Sequence, residues 1–261
     1  MINRTRKKGH RDAIQVDYLD FRFSITFFFV SLLFKYKNNK MSILLADKSI
    51  DKNKAVMHIA IAGNIGSGKT TLTKMLARHY GYRPISESTE TNPYINSFYE
   101  DMRRWSFNIQ IYYLHTRTRQ LLEAHKESKN IIQDRTLSED AYIFTPNLHA
   151  MGLMNTRDFD NYQHTFELVS SFLQPPDLLI YLRADVPTLI RHIQSRGREF
   201  ESGIRLDYLT GLNKRYEDWV ENYKKGKFII VDLNKLDFVA SEEDLGSVYN
   251  MIEAEINSLF T

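Results

Sequence analysis

From residue 57 onward, short apolar runs alternate with longer stretches in which apolar residues recur every three or four positions. Five runs have strand length: Met57 to Ala62, Tyr82 to Glu87, Asn130 to Asp134, Leu178 to Leu182 and Lys227 to Leu233. Helical spacing covers Thr71 to Arg78, Ile95 to Lys126, Ser138 to Leu148, a stretch from near Asp158 to before Pro175, Pro187 to Ser195, Leu206 to Tyr223 and Ser241 to Phe260. In the longest helix, Phe107, Ile111 and Leu114 mark a buried stripe, and Gln110, Tyr113 and Arg117 share a neighbouring face. Pro175-Pro176 stops one helix, and Pro187 suits the first turn of the next. No internal repeat occurs. The alternation predicts an α/β fold, a five-stranded parallel sheet with helices on both faces, and a ligand at the carboxyl ends of the strands.

Between the first strand and first helix lies Gly63-Asn64-Ile65-Gly66-Ser67-Gly68-Lys69-Thr70, followed by Thr71. This is the pattern of a Walker A phosphate loop in the context it requires. The glycines let backbone N–H groups turn inward around phosphate oxygens, at a helix N-terminus whose dipole favours an anion. Lys69 is placed to reach the β- and γ-phosphates, and Thr70 to offer its hydroxyl to Mg²⁺. The pattern predicts binding of ATP with magnesium through Gly63 to Thr71.

Composition narrows the alternatives. The chain of 261 residues is 43% hydrophobic and contains no cysteine, so disulfides, a thiol nucleophile and a Cys-based zinc site are excluded. A reducing cytoplasm fits this. The net charge of +3 is unevenly distributed. Residues 1–56 carry 12 Lys/Arg and 5 Asp/Glu, which leaves 23 basic and 27 acidic residues for 57–261. The mildly acidic remainder gives no case for nucleic-acid binding.

The N-terminal segment opens with a basic run from Arg4 to Arg11, then an apolar patch from Phe23 to Phe34. The patch is shorter than the roughly 20 residues of a membrane span, and no small-residue cleavage site follows it. Residues 1–56 are read as a disordered or artefactual extension, with Met41 or Met57 as alternative starts and a membrane-surface anchor as the rival. Residues 57–261 form the expected domain, with no membrane association.

Phosphoryl transfer requires charge neutralisation, positioning and an acceptor for the nucleophile's proton. Arg196 and Arg198, in a glycine-bounded loop from 196 to 203, are placed to close over a transferring phosphate, although a solvated charged loop has the same composition. Glu87 ends the second strand, where it serves either as a proton acceptor or as a salt-bridge partner. Asp134-Arg135 ends the third strand, with Asp134 near Mg²⁺ and Arg135 pairing with an anion or with Glu87. Gln110 carries an amide able to pair with a nucleobase edge, with Arg117 and Asp140 as helpers. Phe98, Tyr99, Trp105, Tyr112 and Phe144 belong to the core, or one or two of them sandwich a base.

These motifs agree in order and spacing with the deoxynucleoside kinases, which the chain resembles from Met57 to its C-terminus. Ile85-Ser86-Glu87-Ser88-Thr89 resembles the family's strand-end Glu-Pro-Val, with Ser-Thr in place of Pro-Val and Glu90 nearby. The resemblance implies that Glu87 is the base for the sugar 5′-hydroxyl. Phe98-Tyr99-Glu100 and Arg104 to Gln110 resemble the base-binding helix, which casts Tyr99 on the 3′-hydroxyl, Gln110 as base reader and Arg117 as helper beside Asp140. Asp134-Arg135-Thr136 is similar to the acidic-Arg-Ser motif, with Asp134 near Mg²⁺ and Arg135 catalytic with Lys69 and Glu87. Arg196-Gly197-Arg198 to Ile204 resembles the lid, with both arginines on the donor phosphates and Glu201 reaching the 3′-hydroxyl. His192 stands where the family commonly has an arginine, and residues 232–235 fall at the family's donor-base loop.

The activity so implied is transfer of the γ-phosphoryl group of ATP to the 5′-hydroxyl of a deoxynucleoside, deoxyadenosine or deoxyguanosine, by a cytoplasmic homodimer joined through its long helices. A thymidylate-type monophosphate kinase shares the loop, the Asp-Arg pair and the lid. Its phosphate acceptor needs no general base, so Glu87, Tyr99 and Glu201 favour a nucleoside. A nucleotide-binding regulatory module is the alternative from another class.

Overall fold

The computed structural model describes residues 56–259, apart from residues 88, 90 and 202. The expectations for the N-terminal extension (Val56 aside) and for Glu90 lie outside the described residues.

Strand β1 (His58–Gly63) is buried along its whole length, as a central strand covered on both faces must be. Its side chains divide by period two. Ile59 and Ile61 pack with Leu72 and Leu76 of helix α1 (Lys69–Tyr80) and with Val248 and Ile252 of the last helix. Ala60 and Ala62 face the other way, where their small side chains let Trp219 approach. Strands β2 (Arg83–Ile85), β3 (Ile131–Asp134), β4 (Leu178–Arg183) and β5 (Lys227–Asp232) complete the sheet. The spatial order is β2-β3-β1-β4-β5, and every pairing is parallel. From β1 the chain goes first to one side and then to the other, so the carboxyl end of β1 is a topological switch point. Glu87 lies two residues past β2, since the strand stops at Ile85 rather than running to 87.

The stretch expected as one helix from 95 to 126 is two, α2 (Ile95–Glu100) and α3 (Met102–Lys126). Asp101 breaks it: with φ −141° and ψ 84° it leaves helical space, and its side chain caps α3 by accepting the Arg104 N–H at 3.0 Å. On α3, Gln110, Tyr113, Leu114 and Arg117 are buried, while Phe107 and Ile111 of the expected stripe are half-buried.

A second departure concerns residues 138–148. Helix α4 (Leu137–Glu139), a π-helical turn (Asp140–Phe144) and helix α5 (Thr145–Ala150) follow one another without a gap. Helix α6 (Thr156–Ser170) packs beside α3, and α7 (Val186–Arg196) ends at Gly197. Arg196 therefore closes α7 instead of opening the loop. A 3-10 turn (Glu199–Glu201) leads to α8 (Leu206–Glu221), and α9 (Glu242–Ser258) begins behind the cap Ser241. No helix among the described residues is long and apolar enough to cross a membrane.

Candidate active site

Two glycines of the phosphate loop sit where a side chain would not fit. At Gly63 a Cβ would lie 2.5 Å from Ser67 Oγ and 3.0 Å from the Leu182 carbonyl oxygen. At Gly66 it would meet the Leu189 carbonyl oxygen at 2.8 Å, and φ is +85°. Asn64 braces the loop from within, its Oδ1 accepting the Ile65 N–H (2.8 Å) and its Nδ2 donating to Leu209 O and Asn213 Oδ1. His192 Nδ1 lies 3.0 Å from the Gly66 carbonyl oxygen and seats α7 against the loop. Lys69 Nζ donates to Asn64 O at 2.9 Å. Burial, reinforced by Arg135, lowers its pKa to about 8. Ile65 through Thr71 line a cavity of about 690 Å³ at the carboxyl ends of the strands, whereas Gly63 and Asn64 lie behind it.

Thr70 Oγ1 donates to Asp134 Oδ2 at 2.5 Å, and Asp134 Oδ1 is buried without a partner among the described residues. Burial and the nearby Glu87 raise the Asp134 pKa, against the pull of Lys69. A hydroxyl and an orphaned carboxylate oxygen beside a phosphate loop fit Mg²⁺, which takes few protein ligands and completes its shell with water and phosphate. Among the described residues no group of three or more His, Asp or Glu offers an all-protein metal cage.

Past Asp134 the chain turns at Arg135, a non-glycine residue at φ +70°. Its N–H still bonds Ile61 O at 2.9 Å, so the pairing with β1 extends to the strained residue, and its guanidinium lies over the Phe144 ring at 4.5 Å. Arg135 Nε donates to Glu87 Oε1 (3.0 Å), and Nη1 donates to Tyr216 OH (2.7 Å) and Glu139 Oε1 (3.4 Å). Glu87 Oε1 also accepts from Arg117 Nη2 at 2.9 Å, while Oε2 has no hydrogen-bond partner among the described residues. Burial would raise the Glu87 pKa, but Arg135, Arg117 and Lys69 outweigh it and hold the carboxyl well below the usual range.

Arg117 Nε donates to Asp140 Oδ2 at 2.7 Å. Asp140, Glu87 and Arg135 line the cavity; Arg117 does not, and stands behind them. Burial pushes the Asp140 pKa up to about 6, against the opposing charges of Arg117 and Arg135. Gln110 faces the cavity with Oε1 3.4 Å from Thr145 Oγ1. Tyr99 also lines it, its ring stacked on Phe200 at 5.9 Å, and burial lifts its pKa well above 10. Glu201, Arg196 and Arg198 complete the rim. The two arginines are turned onto the carboxylate: Arg196 Nη2 lies 2.6 and 2.5 Å from the Glu201 oxygens, and Arg198 Nη1 lies 3.6 Å away. The far wall comes from Leu233 and residues 236–240 rather than from the whole of 232–235. There Asn234 is occupied accepting the Asp185 N–H.

Sequence reasoning overlooked Glu139 and Tyr216. Glu139 is fully buried, and its Oε1 collects Gly63 N–H, Tyr216 OH and Arg135. Its Oε2 accepts Thr136 N–H and Oγ1 in a capping box. Thr136-x-x-Glu139 was the available signal. Tyr216 carried none, being one apolar position in an amphipathic helix.

A phosphate loop after the central strand, an acidic-arginine pair after its neighbour and an arginine-bearing rim define a P-loop phosphotransferase. The deoxynucleoside kinase family matches residues 59–257, and the chain belongs to it. It is 33% identical over 202 residues to deoxyadenosine/deoxycytidine kinase of Bacillus subtilis, covering 76% of this chain and 93% of that protein. To deoxyguanosine kinase of Lactobacillus johnsonii it is 34% identical over 210 residues, covering 77% and 93%. A solved structure of deoxyadenosine kinase from M. mycoides with bound dATP superposes with TM-score 0.67 at 34% identity, covering 76% of this chain and 99% of that one. The same enzyme with products dCMP and dCDP gives 0.68 at 33%, covering 76% and 100%. The protein is therefore a phosphotransferase with deoxynucleoside kinase activity.

Proposed function

We propose that the protein transfers the γ-phosphoryl group of ATP to the 5′-hydroxyl of a purine deoxynucleoside, deoxyadenosine or deoxyguanosine, as a step of nucleotide salvage. The observation that carries this reading is the Glu87 carboxylate, tied through Oε1 to Arg135 and Arg117, with no partner at Oε2 among the described residues, in one cavity with Lys69. A carboxylate held ionised by two guanidiniums is a weak base and a well-oriented acceptor. That suits a loose transition state, in which the hydroxyl must be aimed and its proton is taken late. The 5′ oxygen bonds to phosphorus as the bond to ADP breaks, and the hydroxyl proton passes to Glu87.

Lys69 and the loop amides bind the donor phosphates, and Arg135 stands beside the acceptor oxygen. Arg196 and Arg198 reach the phosphates once they leave Glu201. Tyr99 and Glu201 hold the sugar 3′-hydroxyl, and Gln110 with Asp140 reads the base, with Arg117 aligning Asp140 and Glu87 from behind. Thr70 and Asp134 would hold Mg²⁺, which neutralises charge on the transferring phosphates. We also propose a homodimer joined through α3 and α6. Leu122 on α3, and Leu168 and Phe172 on and just past α6 (63% and 74% exposed), supply uncovered apolar surface.

The test is phosphorylation of the four deoxynucleosides and the corresponding monophosphates with ATP and Mg²⁺. Turnover of purine deoxynucleosides that Glu87→Gln lowers by orders of magnitude supports the reading. Turnover of monophosphates alone overturns it.

A further inference from the structure

Thr145 is fully buried at the junction between the π-helical turn and α5. Its backbone N–H and its hydroxyl both point at the carbonyl oxygen of Asp140, the hydroxyl at 2.7 Å. A hydroxyl has one proton. At 2.7 Å that proton is given to Asp140 O, which leaves only lone pairs on Thr145 Oγ1 to face Gln110.

An oxygen opposite those lone pairs would be repelled, whereas a nitrogen would donate to them. A half-turn of the Gln110 amide about its terminal torsion exchanges the two atoms without moving the rest of the side chain. Nε2 then satisfies Thr145, and Oε1 faces the cavity with the second N–H beside it. Tyr162, whose buried hydroxyl lies beside Thr145, can fill at most one of the two lone pairs on Oγ1, and the other remains for Gln110. Arg117 has Nε on Asp140, Nη2 on Glu87 and Nη1 on Arg135 O, while Asp140 presents a carboxylate to the same cavity.

We propose that Thr145 is a positioning residue that turns the Gln110 carbonyl oxygen toward the cavity and thereby selects a base bearing an exocyclic amino group. This rests on the deoxynucleoside kinase reading and sharpens it. The amino group and adjacent ring nitrogen of adenine complement an acceptor and donor placed side by side. A keto oxygen at the same position meets Gln110 Oε1 and Asp140 oxygen to oxygen, and a site built for one hydrogen-bond polarity rejects the other.

The experiment compares kcat/KM of the full chain for deoxyadenosine and deoxyinosine, whose bases differ in the amino and keto groups at position 6. Wild type is expected to favour deoxyadenosine by about tenfold or more, the effect of one mispaired buried polar group. Thr145→Val removes the fixed lone pairs and is expected to bring the ratio down about tenfold, mainly through KM. Thr145→Ser, which keeps the hydroxyl, retains the ratio. A wild-type ratio near one, or one favouring deoxyinosine, overturns the proposal whether or not the valine variant folds. So does a folded Thr145→Val with an unchanged ratio. In both cases phosphorylation persists and the kinase reading stands. Failure to phosphorylate any deoxynucleoside removes that reading, and this inference with it.

Discussion

The Glu139 carboxylate accepts the amide N–H of Gly63 at 3.1 Å, joining residues 76 positions apart in the chain. The same oxygen accepts from Arg135, so one buried side chain touches both the start of the phosphate loop and the guanidinium beside Glu87. Donor and acceptor halves of the site share a single anchor.

Removing that anchor leaves the Gly63 N–H and the Tyr216 hydroxyl buried without their acceptor and takes from Arg135 one of its two carboxylates. Glu139→Ala is expected to lose about 3 kcal/mol of stability or more, read by urea unfolding. ATP affinity and kcat are expected to fall together, since Gly63 loses its acceptor and Arg135 one of the groups that fix it beside Glu87. A variant that loses stability alone, with ATP binding and kcat intact, would assign Glu139 a purely structural role.

Glu201 holds Arg196 with both oxygens and Arg198 with one. The charge of the rim arginines is thus balanced by Glu201, and a phosphate must compete with that carboxylate for them. Glu201→Ala is expected to tighten ATP binding measured without acceptor, by several-fold, because the guanidiniums no longer leave a partner to reach phosphate. The KM for deoxynucleoside should rise in the same variant. Calorimetric titration of ATP against wild type and variant reads the first effect, and initial rates the second. Unchanged ATP affinity would mean that the pair does not restrain the rim.

His58 contributes to the pH dependence of folding between about pH 4 and 6.5. Burial, countered by the hydrogen bond to Gln133 Oε1 at 2.8 Å, lowers its pKa from 6.5 to about 4. The unfolded chain therefore binds a proton that the folded chain refuses between those values, so stability rises with pH across that window. The contribution is fully present above pH 6.5 and lost as pH falls toward 4, a change of about 3 kcal/mol at most. Asp140, with its raised pKa, works in the opposite direction over part of the range. The comparison is therefore the difference between wild type and His58→Gln, which should narrow as pH falls from 7 to 4 in chemical unfolding. A constant difference would remove His58 as the source.

The phosphate loop was legible because everything it needs is local. Glycines adopt φ values closed to other residues, a strand precedes them, and a helix N-terminus follows. Gln110, Tyr113 and Arg117 were legible as a face for the same reason, since their spacing alone aligns them. The break at Asp101 was written in a capping residue but hidden by apolar periodicity that runs straight through it. The π-helical turn was not legible, because a shift from i+4 to i+5 bonding alters no residue type. The Asp140 carbonyl receives both Thr145 donors in a turn whose Phe144 packs against Tyr216 and Arg135, residues distant in the chain.

What the sequence determined by itself is the order of strands and helices, the phosphate loop and the inventory of charged groups near strand ends. The tertiary structure decided which of those groups meet. Glu87 follows β2 and Arg135 follows β3, and they touch because β2 and β3 are neighbours in the sheet, an adjacency that strand order along the chain does not dictate. Arg117 then closes the cluster from a helix, and Glu139 and Tyr216 from behind. A buried charge is stabilised by the groups packed against it. Its protonation state and orientation are therefore properties of neighbours in space, and the sheet order supplies the neighbours.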